Sequence, residues 1–418
     1  MRVGIVGTGI AGLTAGWLFE RAGARVTVFE KLPSLGMDSH SVSFEIEGQE
    51  VRSDVPPRMF NASLWPNLVS LYRHAGVETE PVEPSKTFGQ HGGQTILKLG
   101  DSYLPKLSTN LVFNSSARSI LKDIRRMLIA APADIDAVEI TMGEYLKTGD
   151  YSTPFIYEFL FPALSSTVCT CSYESLESYP AKTLLKAMLD LTKPEGLSRT
   201  RFGTKDVVSK LIADIEDVRL STPVACVEGH SSGAVVRTES GAELNFDHVI
   251  VATQANVAKQ IVRPQTAEEF EMLDSFRYHD VSIVVHTDDS LMPSQKRDWS
   301  QFNLLSNDDQ SAAMCSIWMN RFCPEWEIGT PVFQTIMPVV DPKPQSVIRE
   351  SRMQRPVVDK SSVRGLQLHR NLHEQSNRHV WFCGSYASPG VPLLESGVVS
   401  SLNVANQLGI KLPGECQV

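Results

Sequence analysis

The chain opens with an apolar run that breaks into glycines at a fixed spacing, Arg2-Val3-Gly4-Ile5-Val6-Gly7-Thr8-Gly9-Ile10-Ala11-Gly12. A helical stretch follows, and a second apolar run, Val26-Thr27-Val28-Phe29, ends in Glu30. Strand, glycine turn, helix, strand and terminal acid in this order predict a β-α-β unit built around a dinucleotide. Gly7 turns the chain out of the first strand. Gly9 lets a pyrophosphate approach the backbone, and Gly12 lets the helix sit close to the sheet. The free N–H groups at the start of that helix, at its positive dipole end, suit phosphate charge. Glu30 at the tip of the second strand can accept both ribose hydroxyls of an adenosine, and its charge disfavours a 2′-phosphate.

The 418 residues exceed one ordinary core and predict two domains. No apolar run approaches the ~20 residues of a membrane span, and the glycine-broken N-terminus does not read as a signal peptide. A net charge of −9 offers no basic face for nucleic acid. The expectation is a cytoplasmic protein acting on a small-molecule substrate, with its oligomeric state open. Seven scattered cysteines fit free thiols in a reducing compartment. Cys169-Thr170-Cys171 has no neighbouring ligand set for zinc, so no metal is expected.

The pattern divides the rest of the chain. Helical spacing of apolar residues marks the tracts 65–75, 115–130, 141–147, 153–164 and 180–191, a mostly helical middle block. Past Gly203 come a helix to about Ile215, short strands at Val218 and Val224, and a hairpin turning at Ser231-Ser232-Gly233. A buried strand follows at Val249-Ile250-Val251-Ala252-Thr253. Further strands are expected at 281–286, 313–318 and 332–336. Val380-Trp381-Phe382 then leads into a helix over 393–408. A sheet begun by the opening unit needs further parallel strands to bury both faces. The reading is therefore α/β: a Rossmann-type domain from residues 1–58, 200–275 and 362–418, and an inserted α+β substrate domain from 59–199 and 276–361.

A second strand–glycine–helix closes the chain, Phe382-Cys383-Gly384-Ser385 followed by Gly390-Val391-Pro392-Leu393-Leu394-Glu395. A second helix N-terminus aimed at the ligand has a use with a flavin, because it stabilises negative charge on the reduced ring. A nicotinamide gains nothing from it. FAD is therefore the favoured dinucleotide, and a plain NAD dehydrogenase would leave this motif unexplained.

These motifs, with Asp54-Val55-Pro56-Pro57-Arg58-Met59-Phe60-Asn61, His286-Thr287-Asp288 and Trp318-Met319-Asn320-Arg321, resemble the FAD-dependent amine oxidase and phytoene-desaturase superfamily over nearly the whole chain. The resemblance implies roles for individual residues. Gly7, Gly9, Ile10, Ala11 and Gly12 would hold the pyrophosphate, and Glu30, with Lys31 beside it, the adenosine ribose. Gly36, Met37, Ser39 and His40 would occupy the loop that wraps pyrophosphate and ribityl chain. Arg58 and Met59 would pass the isoalloxazine, and Val224 would meet the adenine edge. Gly384 and Ser385 would sit at the ribityl and phosphate, and Leu393 and Leu394 beside flavin N1.

The loop departs from the family pattern, with Met37 in place of a glycine and Asp38 in place of a basic residue. Amine oxidases often hold a lysine near flavin N5 on the strand after the Ala252 segment, and residues 277–286 contain none. No catalytic side chain is assigned. Trp318, Asn320 and Tyr386 are candidates to line the substrate cavity, while His286 and Asp288 read as a structural turn. The expected activity is oxidation or desaturation of a small to medium apolar metabolite by hydride transfer to flavin N5. The alternatives are a redox-neutral flavin isomerase and a flavin-binding protein without turnover.

Overall fold

A computed structural model describes residues 1–82, 84–100, 114–137, 139–191 and 196–411; Cys416 and the end of the third Rossmann segment lie outside the described residues. The opening strand Arg2–Val6 is flanked in register by Arg25–Phe29 and by His248–Val251, all parallel. Val380–Phe382 extends the sheet beyond the latter, and Asp217–Arg219 beyond the former. This five-stranded parallel sheet draws its strands from three separated parts of the chain, as its uniformly apolar runs require. Val3, Ile5, Val249, Ile250, Val251 and Phe382 are all fully buried.

The helices Ile10–Arg21 and Leu394–Gln407 cover one face. The other face carries a small antiparallel sheet of Val224–His230, Gly233–Thr238 and Glu243–Phe246. Phe246 packs edge-on against Phe29, with ring centroids 6.0 Å apart, and leaves room above Gly4 only for hydrogen. The fold is α/β.

A second, mixed sheet runs in the order Val347–Pro356, Tyr278–His286, Phe333–Ile336, Ala313–Trp318, Phe302–Ser306, Lys86–Gln90 and Thr95–Leu99. Its first five strands come from the later insertion and its last two from the middle block. That block is thus less helical than its spacing suggests. Lys86, Thr87 and Phe88 are all buried, so the strand lies covered on both faces and shows no alternation to read. It pairs in parallel with Phe302–Ser306, which fuses the two insertions into one layer.

The expected helix over 153–164 is a run from Thr153 to Val168 interrupted by two π-helical turns, Ile156–Leu160 and Leu164–Val168. Pro162 removes a backbone donor inside this run, which favours the wider turn, whereas Pro154 sits in the first turn, where no helical partner is lost.

The helix Lys360–His373 packs two histidines under the last parallel strand. His369 Nε2 donates to the Phe382 carbonyl at 3.0 Å, while His373 Nε2 accepts from the Phe382 N–H at 3.2 Å. Both rings are buried, and burial pulls His369 down to about 4 and holds His373 well below its usual range. The unfolded chain takes up protons near pH 6.5 and the folded chain does not until about pH 4. Stability from His369 is therefore complete above pH 6.5 and is lost as pH falls toward 4, at about 1.4 kcal/mol per pH unit, and His373 acts in the same direction. Thermal melts should show a marked fall in midpoint between pH 7 and pH 5. His369→Gln, whose amide can still donate to Phe382, should flatten that dependence.

Candidate cofactor and substrate site

Both glycine–helix motifs open onto one cavity of about 440 Å³. Gly9, Ile10 and Ala11 line it from the N-terminal side, and Gly384, Ser385, Leu393 and Leu394 from the C-terminal side. Neither helix has a side-chain cap at its N-terminus, so backbone N–H groups are left for a ligand. The helices are held together where they cross. A Cβ on Gly397 would lie 2.7 Å from Ile10 Cγ2, and Ser401 Oγ donates to the Ala11 carbonyl at 2.8 Å.

The glycine turn fits a dinucleotide by a direct test of space. A Cβ on Gly12 would fall 1.9 Å from the Gly7 carbonyl oxygen, so that position serves close packing. A Cβ on Gly9 would meet nothing within 4 Å, so the room beside Gly9 is left to a ligand.

Glu30 is buried at the tip of its strand, with Lys31 exposed beside it. Its Oε2 accepts from the N–H of Thr8 at 3.0 Å and from the Thr8 hydroxyl, and its Oε1 accepts from Leu32 N–H at 3.0 Å. A carboxylate offers about four acceptor positions, which leaves capacity for a ribose hydroxyl. Thr222, two residues before Val224, donates its N–H to the Glu30 carbonyl at 2.8 Å. Val224 is half-buried and belongs to the neighbouring strand edge; it does not line the cavity.

The loop with the altered glycine doublet is pinned by its own contacts. Gly36 N–H donates to Thr8 Oγ1 at 2.6 Å, and Met37 N–H to the Thr8 carbonyl at 3.0 Å. Ser39 Oγ donates to the Gly36 carbonyl at 2.8 Å, and Asp38 pairs with Arg52 at 2.6 Å. Arg58 bridges the loop to the next element, donating to Thr204 Oγ1 at 2.7 Å and to the Met37 carbonyl at 3.1 Å. Thr204 is fixed in turn by Asp54, at 2.8 Å through its N–H and 2.9 Å through its hydroxyl. Half-buried His40 is pushed down by desolvation first and then by Arg349 and Arg58. Arg58 and Met59 line the cavity, whereas Gly36, Met37, Ser39 and His40 do not.

Two cavity candidates are corrected. Trp318 packs edge-on against Trp299, centroids 5.4 Å apart, in a separate cluster. Its neighbour Ile317 reaches the cavity, and successive side chains on a strand point to opposite faces. Asn320 braces a loop, donating to the Ile328 and Thr330 carbonyls at 3.3 and 3.1 Å and accepting from Val332 at 2.8 Å. Tyr386 does line the cavity, and its buried hydroxyl has no partner among the described residues. His286 sits in a buried chain through Thr335 to Ser316, each link 2.8 Å, on a turn braced by Asp288 and Lys343.

Residues not anticipated from sequence complete the chamber. Val281, Ile283, Cys315, Ile317 and Ile336 present an apolar ceiling on the mixed sheet, and Lys86 and Arg355 stand at its two margins. Lys86 is buried, and desolvation brings it down to about 8. A lone lysine opening a short strand and an arginine in a charge-rich edge strand carry no sequence signal of a cavity.

Residues 10–336 match the family model described as flavin containing amine oxidoreductase. No curated protein matches the chain in sequence. Among solved structures, putrescine oxidase bound to putrescine is similar over 98% of this chain and 100% of its own, with TM-score 0.69 at 15% identity. The CLA-producing fatty acid isomerase from P. acnes gives 97% and 98% coverage, TM-score 0.67 and 13% identity. Cyclohexylamine oxidase from Brevibacterium oxydans gives 98% and 99%, TM-score 0.65 and 14% identity. At these identities the likeness is one of fold. Among the described residues, no helix is long and apolar enough to cross a membrane.

Gly9→Ala adds its methyl to open space in the protein alone and to the path of a bound pyrophosphate. The variant should melt within about 0.5 kcal/mol of the unsubstituted apoprotein and retain at least tenfold less FAD after gel filtration, read from its absorbance near the flavin maximum.

Proposed function

This chain belongs to the flavin containing amine oxidoreductase family and is an FAD-dependent oxidoreductase; from that premise we propose that it oxidises or desaturates a small to medium apolar metabolite by hydride transfer to flavin N5. The observation that carries this reading is the single cavity that joins both helix N-termini to an apolar chamber under the mixed sheet.

The residues around the nucleotide end fit the cofactor. Gly7, Gly9, Ile10, Ala11 and Gly12 would hold the pyrophosphate, and Glu30 and Lys31 the ribose. Gly36, Met37, Ser39 and His40 would support the ribityl side. Arg58, Met59, Leu393 and Leu394 would border the ring, with Gly384 and Ser385 at the ribityl and phosphate and Val224 toward the adenine. Bound FAD supplies the two-electron acceptor.

The chain's own side chains then have three tasks. Val281, Ile283 and Ile336 confine an apolar substrate, so its reacting C–H bond is held by shape rather than by a base. The ceiling excludes water from the reacting centre. The Leu394 helix N-terminus stabilises the negative charge that arrives with the hydride. No aspartate, glutamate or histidine lines the cavity among the described residues; Lys86, Cys315, Tyr278 and Tyr386 do, and this reading assigns proton transfer to none of them. Where amine oxidases often hold a lysine, the strand Tyr278–His286 offers Val281 and Ile283 to the chamber.

The same chamber suits a redox-neutral isomerisation, in which the hydride returns to another carbon of the substrate. An anaerobic screen of apolar metabolites against the yellow protein separates the two. Under oxidation the flavin bleaches with substrate and regains colour in air. Under isomerisation it does not stay bleached while product accumulates. A flavin that no metabolite reduces and that changes no metabolite would leave only a binding protein.

A further inference from the structure

The cavity has a sign. Among its described lining residues are Arg58, Lys86 and Arg355, and no carboxylate. Arg58 is committed to Thr204 and the Met37 carbonyl. Lys86 lies five strands away from Arg355 across the mixed sheet, on the strand next to its far edge. Arg355 differs from both. Its guanidinium donates one hydrogen bond, from Nη2 to the Val168 carbonyl at 3.2 Å, and no described carboxylate lies within ion-pair distance.

The groups around Arg355 do not balance its charge. The neutral groups nearest to it are Tyr179, Cys169 and Cys171: the hydrogen bond with Cys169, ahead of burial, holds the Cys171 thiol well above its usual range, and burial, ahead of the two cysteines, raises Tyr179. His279 stands directly across the strand pair from Arg355, on the same face of the sheet. Its Nε2 donates to the Thr170 carbonyl, so its Nδ1 is a bare acceptor, buried and without a partner among the described residues. Desolvation holds the Arg355 guanidinium below its usual range. A guanidinium half-withdrawn from water and lacking a counter-charge is costly until an anion meets it. Its planar fork matches a carboxylate with two parallel hydrogen bonds.

We propose that Arg355 is the anion anchor of this cavity, and that the substrate is an apolar molecule carrying a carboxylate rather than an amine cation. The inference rests on the reading of the chamber as a substrate site and narrows it to a chemical class. Val168 and Thr170, whose carbonyls hold Arg355 and His279, themselves line the cavity, so the anchor faces the space beneath the aliphatic ceiling. An ammonium group placed there meets like charge and finds no acid to receive it.

The test uses the FAD-loaded protein and three probes of equal length, octanoate, octylamine and octanol, followed by calorimetry and by perturbation of the flavin spectrum. Octanoate should bind at least tenfold more tightly than octylamine or octanol. Arg355→Gln should abolish that preference while leaving FAD content and melting temperature unchanged, and Arg355→Lys should restore part of it. Tighter binding of octylamine, no heat with octanoate, or an intact carboxylate preference in Arg355→Gln would each overturn the proposal. Loss of FAD in Arg355→Gln with octanoate affinity preserved would overturn it too, by making Arg355 a cofactor ligand. Failure of the unsubstituted protein to take up FAD would instead strike the functional reading itself. Calorimetry registers the carboxylate without help from the flavin, so the two failures are distinguishable.

Discussion

The crossing of the helices Ile10–Arg21 and Leu394–Gln407 fixes everything that the cavity does. Each helix begins at the carboxyl end of a parallel strand, and each presents uncapped N–H groups. They can begin at the same place only because their contact is made of small residues. Gly397 faces Ile10 with no room for a Cβ, Ser400 Oγ caps the Gly384 N–H at 3.0 Å, and Ser401 Oγ reaches the Ala11 carbonyl. A larger side chain at Gly397 or Ser401 would part the helices and separate the two amide clusters. The site is therefore set by packing before a ligand arrives, and little binding energy need be spent on ordering it.

The altered glycine-doublet loop shows the same economy by another route. Met37 and Asp38 look on paper like a weakened grip on the nucleotide. In the structure Thr8, a residue of the glycine turn itself, holds that loop through its hydroxyl and carbonyl while also donating to Glu30. Arg52 takes up Asp38, and Arg58 takes up the Met37 carbonyl. The contacts that the missing residues would supply to the loop are replaced by side chains from the turn and from the segment leading to Arg58. The loop is accordingly closed against the turn rather than loosened.

How much of this was legible follows the range of the interactions. The opening unit and the terminal strand–glycine–helix are local, so spacing and residue type were enough to read them. The hairpin at Gly233 was readable for the same reason, but its third strand, Glu243–Phe246, was missed, because Leu244 and Phe246 are all the apolar signal it has. The mixed sheet joins strands from two insertions, and no local pattern reports that Lys86 pairs with Phe302. Trp318 failed by one position: Ile317 reaches the chamber and the tryptophan faces away, a parity that a strand boundary uncertain by a residue cannot resolve. Arg355 was hidden differently. Its strand also carries Arg349, Glu350 and Arg352, and reads as a solvated edge until the π-helical segment is seen lying against it.

The electrostatics of the cavity run against those of the chain. The molecule carries a net charge of −9, yet the described lining of the cavity at the two helix N-termini is cationic and free of carboxylates. Exposed charges more than about 8 Å away are largely screened at physiological salt, whereas groups inside a low-dielectric chamber act at nearly full strength. The local sign therefore decides what the chamber accepts, and the global charge governs solubility. An amine oxidation must accommodate a nitrogen that is a cation in water, which calls for an acid or a proton acceptor near the reacting carbon. This chamber supplies aliphatic walls there and positive charge at its margins. Under the proposed function, that arrangement favours a C–H bond in a hydrocarbon segment over a carbon bearing an ammonium group.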